Sequence, residues 1–384
     1  MPVEFNGSEA YTLGVEEELH LVDAATGELV PKIEEIMSRL PEDLKEAVSY
    51  ELFQSVLEIK TPPCATVAEA EKVLRGLRSR VGSWTAACGA ALASAGTHPF
   101  SLYKDQKITE QERYKQVIKT LRWIAQREVI FGQHVHVGVP SEEAVIEAHN
   151  RLSEQAPLLL ALSSNSPFWQ GIDTGYESTR VKIFESFPRA GLPPAFPDYE
   201  AFESYVDLMV EAGAMDDYTF CWWDVRPHSK IGTIELRILD SQTSLRSVVA
   251  LTALTQCLVV KALSENARGP YYRELAAENK FRASRHGLDA TFYDAREKRS
   301  VPAREAVRTL VDELRPVSQD LSCEDELSEV LEIVGSGTGS LYQRRAYEES
   351  GDFLDVVAYL IEGTRPTMAK ASGESQGEEQ GKLL

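Results

Sequence analysis

An acidic cluster inside the first strand-like segment restricts what this chain can fold into. Residues 14–22 read Gly-Val-Glu-Glu-Glu-Leu-His-Leu-Val. Because successive side chains of a β-strand point to opposite faces, Glu16 and Glu18 share one face and Glu17 lies on the other. Two adjacent carboxylates on a half-buried sheet repel each other unless a cation lies between them. We therefore predict that Glu16 and Glu18 bind a hard divalent cation such as Mg²⁺, and that Glu17 does not.

Three further strand-like segments carry metal-competent or charged side chains. They contain the pairs Glu51 and Glu58, His134 and His136, and Glu235 and Arg237. The last two pairs are two residues apart, so each pair shares a face. Glu51 and Glu58 are seven apart and would share a face only if a bulge or twist lay near Glu51. Alone, each pair also fits a core histidine pair or a surface salt bridge, but four such segments in one chain favour a common site.

The residue types at this predicted site indicate its chemistry. Carboxylates dominate and cysteine is absent, which suits Mg²⁺ or Mn²⁺ better than Zn²⁺. A carboxylate cage for several Mg²⁺ ions commonly holds phosphates, and Arg237 would then stabilise a phosphoryl group in transfer. Neither a Walker A loop nor a G-x-G-x-x-G motif is present. The glycine-rich residues 335–339 resemble a phosphate loop only in composition, and a linker before the last helix explains them equally well.

The order of strand-like and helical segments predicts an α+β fold. The main predicted strands are 12–22, 52–60, 132–139, 220–227 and 233–239, and the main predicted helices are 67–93, 108–124, 141–163, 245–266 and 302–314. Strand pairs joined by short turns favour an antiparallel sheet, and the long helices would cover one face of it. Residues 166–197 contain too many prolines and glycines to be regular, and we predict an active-site loop there. We expect one catalytic domain over residues 1–365 and a flexible tail over 366–384.

Charge and cysteine content narrow the partners and the compartment. The net charge is −20, which argues against nucleic acid or an anionic membrane as a partner. Five scattered cysteines without C-x-x-C spacing are typical of free thiols in a reducing cytoplasm. The sequence has neither a signal-peptide pattern nor an uninterrupted apolar run of about 18 residues. We expect a cytoplasmic protein acting on small molecules, with a homodimer as an open possibility.

Several motifs in order resemble one known family, the glutamate–cysteine ligase type 2 family, also called carboxylate–amine ligases. They are GVEEELHLVD (14–23), ELFQSVLEIKTPP (51–63), AGTHPF (95–100), GQHVHVGVP (132–140), SSNSPFWQG (163–171), YESTR (176–180), IELRILDSQ (234–242), AENKFRASRHGLDA (277–290) and GSGTGSLYQRR (335–345). The resemblance covers residues 10–360. It implies a glutamine-synthetase-like fold, in which a curved antiparallel sheet forms a funnel with helices on its outer face.

The resemblance also implies roles for individual residues. The metal ligands, for two or three Mg²⁺ ions, would be Glu16, Glu18, Glu51, Glu58, His134 and Glu235. Arg237 would stabilise the γ-phosphate of ATP in transfer, and Arg180 would contact a substrate carboxylate or phosphate. His136 and Asn165 would line the site. Lys280, Arg282 and Arg285, with Asn279, would meet phosphate or substrate, or else would only decorate a helix.

The implied reaction is an ATP- and Mg²⁺-dependent ligation. The γ-carboxylate of glutamate would be activated as an acyl phosphate, and an amine, expected to be cysteine, would displace the phosphate to give γ-glutamylcysteine. Three alternatives stay open at this stage: a phosphagen-type guanidino kinase, a ligase that uses a different amine, and a metal-binding protein without turnover. The aromatic pairs Phe168–Trp169 and Trp222–Trp223 fit either a substrate pocket or the core, and His98 fits either a turn or the site.

Overall fold

The computed structural model describes residues 4–265 and 271–366. The strands are β1 Leu13–Val22, β2 Val48–Tyr50, β3 Val56–Lys60, β4 Ala91–Ala93, β5 Gly132–Gly138, β6 Phe168–Trp169, β7 Ile172–Asp173, β8 Val225–His228, β9 Thr233–Asp240, β10 Thr291–Asp294 and β11 Arg299–Pro302. The helices are α1 Ile33–Arg39, α2 Glu42–Lys45, α3 Val67–Ala87, α4 Glu112–Leu121, α5 Trp123–Gln126, α6 Glu142–Ser163, α7 Thr179–Phe184, α8 Tyr199–Glu211, α9 Leu245–Ser264, α10 Arg273–His286, α11 Ala303–Asp320, α12 Glu324–Ser336, α13 Gly339–Ser350 and α14 Phe353–Thr364. The predicted tail lies, from residue 367 onward, outside the described residues.

The centre of the fold is an antiparallel sheet with the order β2-β3-β1-β5-β9-β8, and β4 extends the end of β1. One face of this sheet is apolar because the odd-numbered positions of β1 and β5 are mostly aliphatic, such as Val15, Leu19 and Val135. Helices α3, α6 and α9 pack on that face. The predicted α+β architecture, an antiparallel sheet with helices on one side, is confirmed.

A buried ion pair joins β1 to the helical layer. Glu17 points into the apolar face, as alternation predicts, and its carboxylate accepts hydrogen bonds from Arg78 of α3 at 2.5 and 3.2 Å. Arg78 also donates to the backbone carbonyls of Gln242 (2.8 Å) and Thr243 (2.9 Å). Both charged side chains are fully buried. The same strand therefore carries a structural charge on one face and candidate ligands on the other.

The long helices begin at side-chain caps. Thr66 accepts a hydrogen bond from the backbone N–H of Glu69 at the start of α3, and Ser141 does the same for Ala144 at the start of α6. Such caps satisfy backbone donors that the first turn leaves free. Within the described ranges, α9 alone is long and apolar enough to cross a membrane by length and composition, but 72% of that stretch is buried in the protein, and core helices pass the same test.

Two local predictions were wrong in detail. Of the predicted strand 52–60 only residues 56–60 form a strand, β3, and Glu51 lies in the connection between β2 and β3. The predicted strand 220–227 pairs only from Val225 onward, since residues 218–220 form a 3₁₀ turn. The segment 166–197, predicted not to be regular throughout, contains only the short β6–β7 hairpin and helix α7 as regular elements. The β10–β11 hairpin, which follows α10, was not predicted.

Candidate active site

A cavity of about 470 Å³ opens on the face of the sheet that the helices leave free. It is lined by the predicted metal ligands and by both predicted catalytic arginines. The strand register explains this convergence: Glu18 lies opposite Glu58, Glu16 opposite His134, and His136 opposite Glu235. Opposed residues of an antiparallel pair project to the same face, so residues far apart in sequence meet across four neighbouring strands.

One group of possible ligands consists of Glu16, His136 and Glu235, whose donor atoms lie within 4.8 Å of one another. His136 Nδ1 is hydrogen-bonded to Thr233 Oγ1 (3.0 Å), which turns Nε2 toward the carboxylates. That nitrogen is buried and has no hydrogen-bond partner; it lies 3.6 Å from Glu16 and 3.8 Å from Glu235. An imidazole held at one nitrogen with the other free is the arrangement of a metal-binding histidine.

The geometry groups the two histidines differently from the prediction. His134, predicted as a ligand, is hydrogen-bonded through Nδ1 to Glu16 (3.0 Å) and lies outside the group of three. His136, predicted only to line the site, belongs to that group. Both share a face, so alternation does not distinguish them, and the difference comes from register, since His136 alone lies opposite Glu235. Burial raises the pKa of Glu16, but its two histidine neighbours outweigh this and hold the pKa well below the usual range.

The second group consists of Glu18, Glu51 and Glu58, again with donor atoms within 4.8 Å of one another. The hairpin explains how two glutamates seven residues apart can face the same cavity. Glu51 follows the end of β2 and faces the cavity from the turn, whereas Glu58 faces it from strand β3. Burial and the negative charge of Glu18 raise the pKa of Glu51 to about 8. Burial and the nearby carboxylates, Glu16 first, raise the pKa of Glu58 well above its ordinary value. A divalent cation between these groups would remove the repulsion.

Two arginines hold Glu235 in the first group. Arg237 forms an ion pair with Glu235 Oε1, as its shared face predicts, and Arg226 pairs with Oε2 at 2.7 Å. Burial raises the pKa of Glu235, but the two guanidinium groups outweigh it and lower the pKa far below the usual range. Arg226 was not predicted. The predicted pairing of strands 220–227 and 233–239 could have indicated Arg226, because it lies in β8, directly opposite Glu235 of β9.

Arg180 reaches the cavity from α7. Its guanidinium donates to the backbone carbonyls of Arg237 and Ile238, both at 3.2 Å, which fixes its position, while its Nε has no hydrogen-bond partner. Gly132 leaves the space that this side chain occupies, because a Cβ at residue 132 would overlap the guanidinium. A fixed, buried cation at the cavity wall is suited to a carboxylate or phosphate.

Asn165 does not line the cavity. It is fully buried, and its Nδ2 donates to Ser241 O (2.8 Å) and Thr243 Oγ1 (3.1 Å), while its Oδ1 accepts from Gln343 Nε2 (2.8 Å). Its side chain therefore joins β9 to α13. Gly339 belongs to this contact, because a Cβ there would overlap Asn165. The end of the glycine-rich segment, residues 337–339, is therefore packed in the connection between α12 and α13, whereas Gly335 and Ser336 are exposed in the last turn of α12.

The predicted basic patch on α10 also lies away from the cavity, because α10 packs on α6 rather than on the sheet. Lys280 is buried in ion pairs with Asp224 (2.6 Å) and Glu185 (3.1 Å). Arg282 pairs with Glu278 on its own helix at 2.8 Å. Arg285 donates to the backbone carbonyl of Gly175. The structure thus gives these three residues structural or surface contacts rather than a common pocket.

The structure distinguishes between site and core for the aromatic residues, and between site and turn for His98. Trp222 lines the cavity, whereas Trp223 belongs to the core. Phe168 is buried beneath Tyr347 and Phe353. His98 holds a turn through a hydrogen bond of 2.9 Å to Gly27 O. The cavity wall also contains residues that were not singled out from the sequence, among them Arg113, Tyr114, Phe184, Phe187, His228 and Glu128.

Two solved structures share this architecture. Glutamate–cysteine ligase from Francisella tularensis, solved in complex with AMP, superposes with a TM-score of 0.70 at 13% identity and covers 96% of this chain and 92% of its own. A bifunctional glutathione synthetase from Pasteurella multocida gives 0.68 at 14% identity, over 93% of this chain and 52% of its own. At these identities the likeness concerns the fold alone.

The sequence comparison is more specific. The family profile described as glutamate-cysteine ligase family 2 matches residues 12–362, and the chain belongs to that family. A relative in Rubrobacter xylanophilus, named "Putative glutamate--cysteine ligase 2-1", is 74% identical over 372 residues, which are 96% of this chain and 99% of the relative. A second, in Gloeobacter violaceus, is 39% identical over 369 residues, 94% of this chain and 99% of the relative. The protein is an enzyme of the glutamate–cysteine ligase type.

Proposed function

We propose that this enzyme joins the γ-carboxylate of glutamate to an amine, with cysteine as the first candidate, in a reaction that consumes ATP and requires Mg²⁺. The observation that supports the proposal is the convergence of two carboxylate-rich groups and four arginines, Arg113, Arg180, Arg226 and Arg237, on the wall of one cavity. An acidic protein needs such local cations to receive an anionic nucleotide and a dicarboxylate.

The donor atoms fit divalent cations. Five carboxylates and one imidazole in two groups suit two Mg²⁺ ions, and Mn²⁺ is compatible with the same donors. The free Nε2 of His136 and the raised pKa values of Glu51 and Glu58 support this assignment, because a cation would satisfy the nitrogen and would favour the ionised carboxylates. When bound, the ions would supply positive charge that holds the phosphates and polarises the transferring group.

The protein's own residues would then position the reactants. Arg237 would face the γ-phosphoryl group and stabilise the charge that develops on its oxygens, while Glu235 and Arg226 hold it in place. A γ-carboxylate oxygen of glutamate attacks the γ-phosphorus, and the bond from phosphorus to ADP breaks. The amine nitrogen then attacks the acyl carbon, and inorganic phosphate leaves. No protein nucleophile is required for either displacement.

A product screen tests the proposal. The purified enzyme is incubated with ATP, Mg²⁺, glutamate and one amine at a time, and ADP release is measured together with the mass of the product. We expect ADP and an amide in equal amounts. The variant Glu58→Gln should lose ATP turnover by at least about 100-fold, since even indirect partners of a metal ligand cost about 10- to 100-fold. Glu46→Gln, at an exposed glutamate outside the cavity, is the matched control.

The alternatives give different results in the same screen. A phosphorylated guanidino product without an amide would establish a phosphagen-type kinase instead. Nucleotide binding without ADP release for any amine would establish a binding protein. Unchanged turnover in Glu58→Gln would refute the assignment of the second metal group, whatever the product.

A further inference from the structure

Glu128 is a buried carboxylate in the cavity wall that the metal groups do not use. It lies four residues before β5, its exposure is 8%, and it lines the cavity with Arg180 and Arg237. Its Oε1 is buried without any hydrogen-bond partner. It belongs to neither group of possible metal ligands. A buried carboxylate oxygen without a donor is costly, so its retention in the wall indicates a ligand that supplies the donor.

The charges around Glu128 come from three directions. Arg180 on α7 and Arg127 beside it in sequence are positive, and Glu18 on β1 is negative. Among residues 4–265 and 271–366, no cation forms an ion pair with Glu128, and Arg127 instead lies over the ring of Trp123 at 3.9 Å. Burial raises the pKa of Glu128 to about 8. The carboxylate is therefore held near cations without being neutralised by contact with one.

We propose that Glu128, in its ionised form, receives the ammonium group of the acceptor amine and takes its proton. This inference rests on the proposed ligase reaction. The ammonium ion transfers one proton to the Glu128 carboxylate, which frees the nitrogen lone pair. That lone pair forms the C–N bond with the acyl carbon of the acyl phosphate, the C–O bond to phosphate breaks, and the phosphate leaves with the bonding electrons.

Arg180, fixed by two backbone carbonyls, lies in the same cavity wall and interacts electrostatically with Glu128. The acceptor of the proposed reaction, cysteine, carries a carboxylate and an ammonium group on one carbon. Its carboxylate would meet Arg180 while its ammonium group meets Glu128.

The test uses acceptors that differ in their need for a base. Hydroxylamine is a neutral nucleophile near neutral pH and traps an acyl phosphate as a hydroxamate, whereas amino acids arrive as ammonium ions. With ATP, Mg²⁺ and glutamate, each of the twenty common amino acids and hydroxylamine is assayed separately with wild type, Glu128→Gln and Glu46→Gln. In Glu128→Gln we expect amide formation to fall by about 100-fold, as for loss of a general base, and hydroxamate formation to fall far less.

Each result has a distinct meaning. Equal losses with both kinds of acceptor, or no loss with either, would overturn the role of Glu128 in accepting the proton. A wild-type enzyme that forms the hydroxamate but couples no amino acid would overturn the assignment of Glu128 to an ammonium acceptor and leave acyl-phosphate formation standing. A wild-type enzyme that forms neither product would refute the proposed function itself. The folding control is the melting temperature of Glu128→Gln, which should equal that of the wild type.

Discussion

Replacing Arg78 by methionine tests the ion pair that holds β1 against the helical layer. Methionine fills a similar volume without charge, so the change removes the partner of Glu17 and the donors to the carbonyls of Gln242 and Thr243. All of these contacts are buried, and water does not replace them. Glu17 lies between Glu16 and Glu18, so any movement of β1 that follows would also shift two candidate metal ligands.

The expected loss of stability can be worked out from these contacts. Leaving the buried Glu17 carboxylate without its partner costs about 3–5 kcal/mol, the range found when one member of a buried ion pair is removed. Backbone carbonyls that lose their donor add about 1–2 kcal/mol. The sum, about 4–7 kcal/mol, is a large part of the about 5–15 kcal/mol that stabilises a typical domain.

Urea unfolding followed by circular dichroism measures this loss. The double variant Glu17→Gln/Arg78→Met should recover more than half of it, because no charge is then left buried. A loss below about 2 kcal/mol, or a double variant no more stable than the single one, would contradict the reasoning.

Two further predictions concern the cavity and the α10 patch. The pKa values of Glu51 (about 8) and Glu58 are raised, so the metal-free fold is most stable while these groups are protonated and loses stability as the pH rises toward 8. Mg²⁺ should therefore raise the melting temperature more at about pH 8 than at about pH 6. An equal rise at both pH values would contradict the assignment of Glu18, Glu51 and Glu58 as metal ligands. Arg282→Ala should leave the KM for ATP within about twofold of wild type, as for an ordinary surface substitution. A tenfold rise in KM would indicate instead that the basic residues of α10 contact the nucleotide.

Most of the predicted candidate site was derived from the alternation of side chains along strands and from residue type. They paired Glu16 with Glu18, separated Glu17, and placed Arg237 beside Glu235, because strand parity is a local property of the chain. The place of Glu51 required knowledge of the turn, which neighbouring residues specify only weakly. The choice of His136 over His134 required the register between β5 and β9, and register is set by the assembled sheet.

The α10 residues show a different limit. Lys280, Arg282 and Arg285 are basic and lie in a segment that resembles the family, yet the sequence does not specify which layer of the fold a helix joins, and α10 packs on α6. Glu128 shows the opposite case. Next to Arg127 it resembles a surface ion pair in sequence, and only the folded chain shows that it is buried in the cavity wall without a partner.

The strand order has a consequence for how the enzyme acquires activity during folding. β5 lies between β1 and β9, and β9 is formed by residues more than 200 positions after β1 begins. Such non-local pairing closes late, because distant segments must meet before their contacts contribute free energy. The proposed affinity for metal should therefore appear only when the last strands of the central sheet have paired. Metal binding would then be a measurable signal that a nascent or refolding chain has completed its folding.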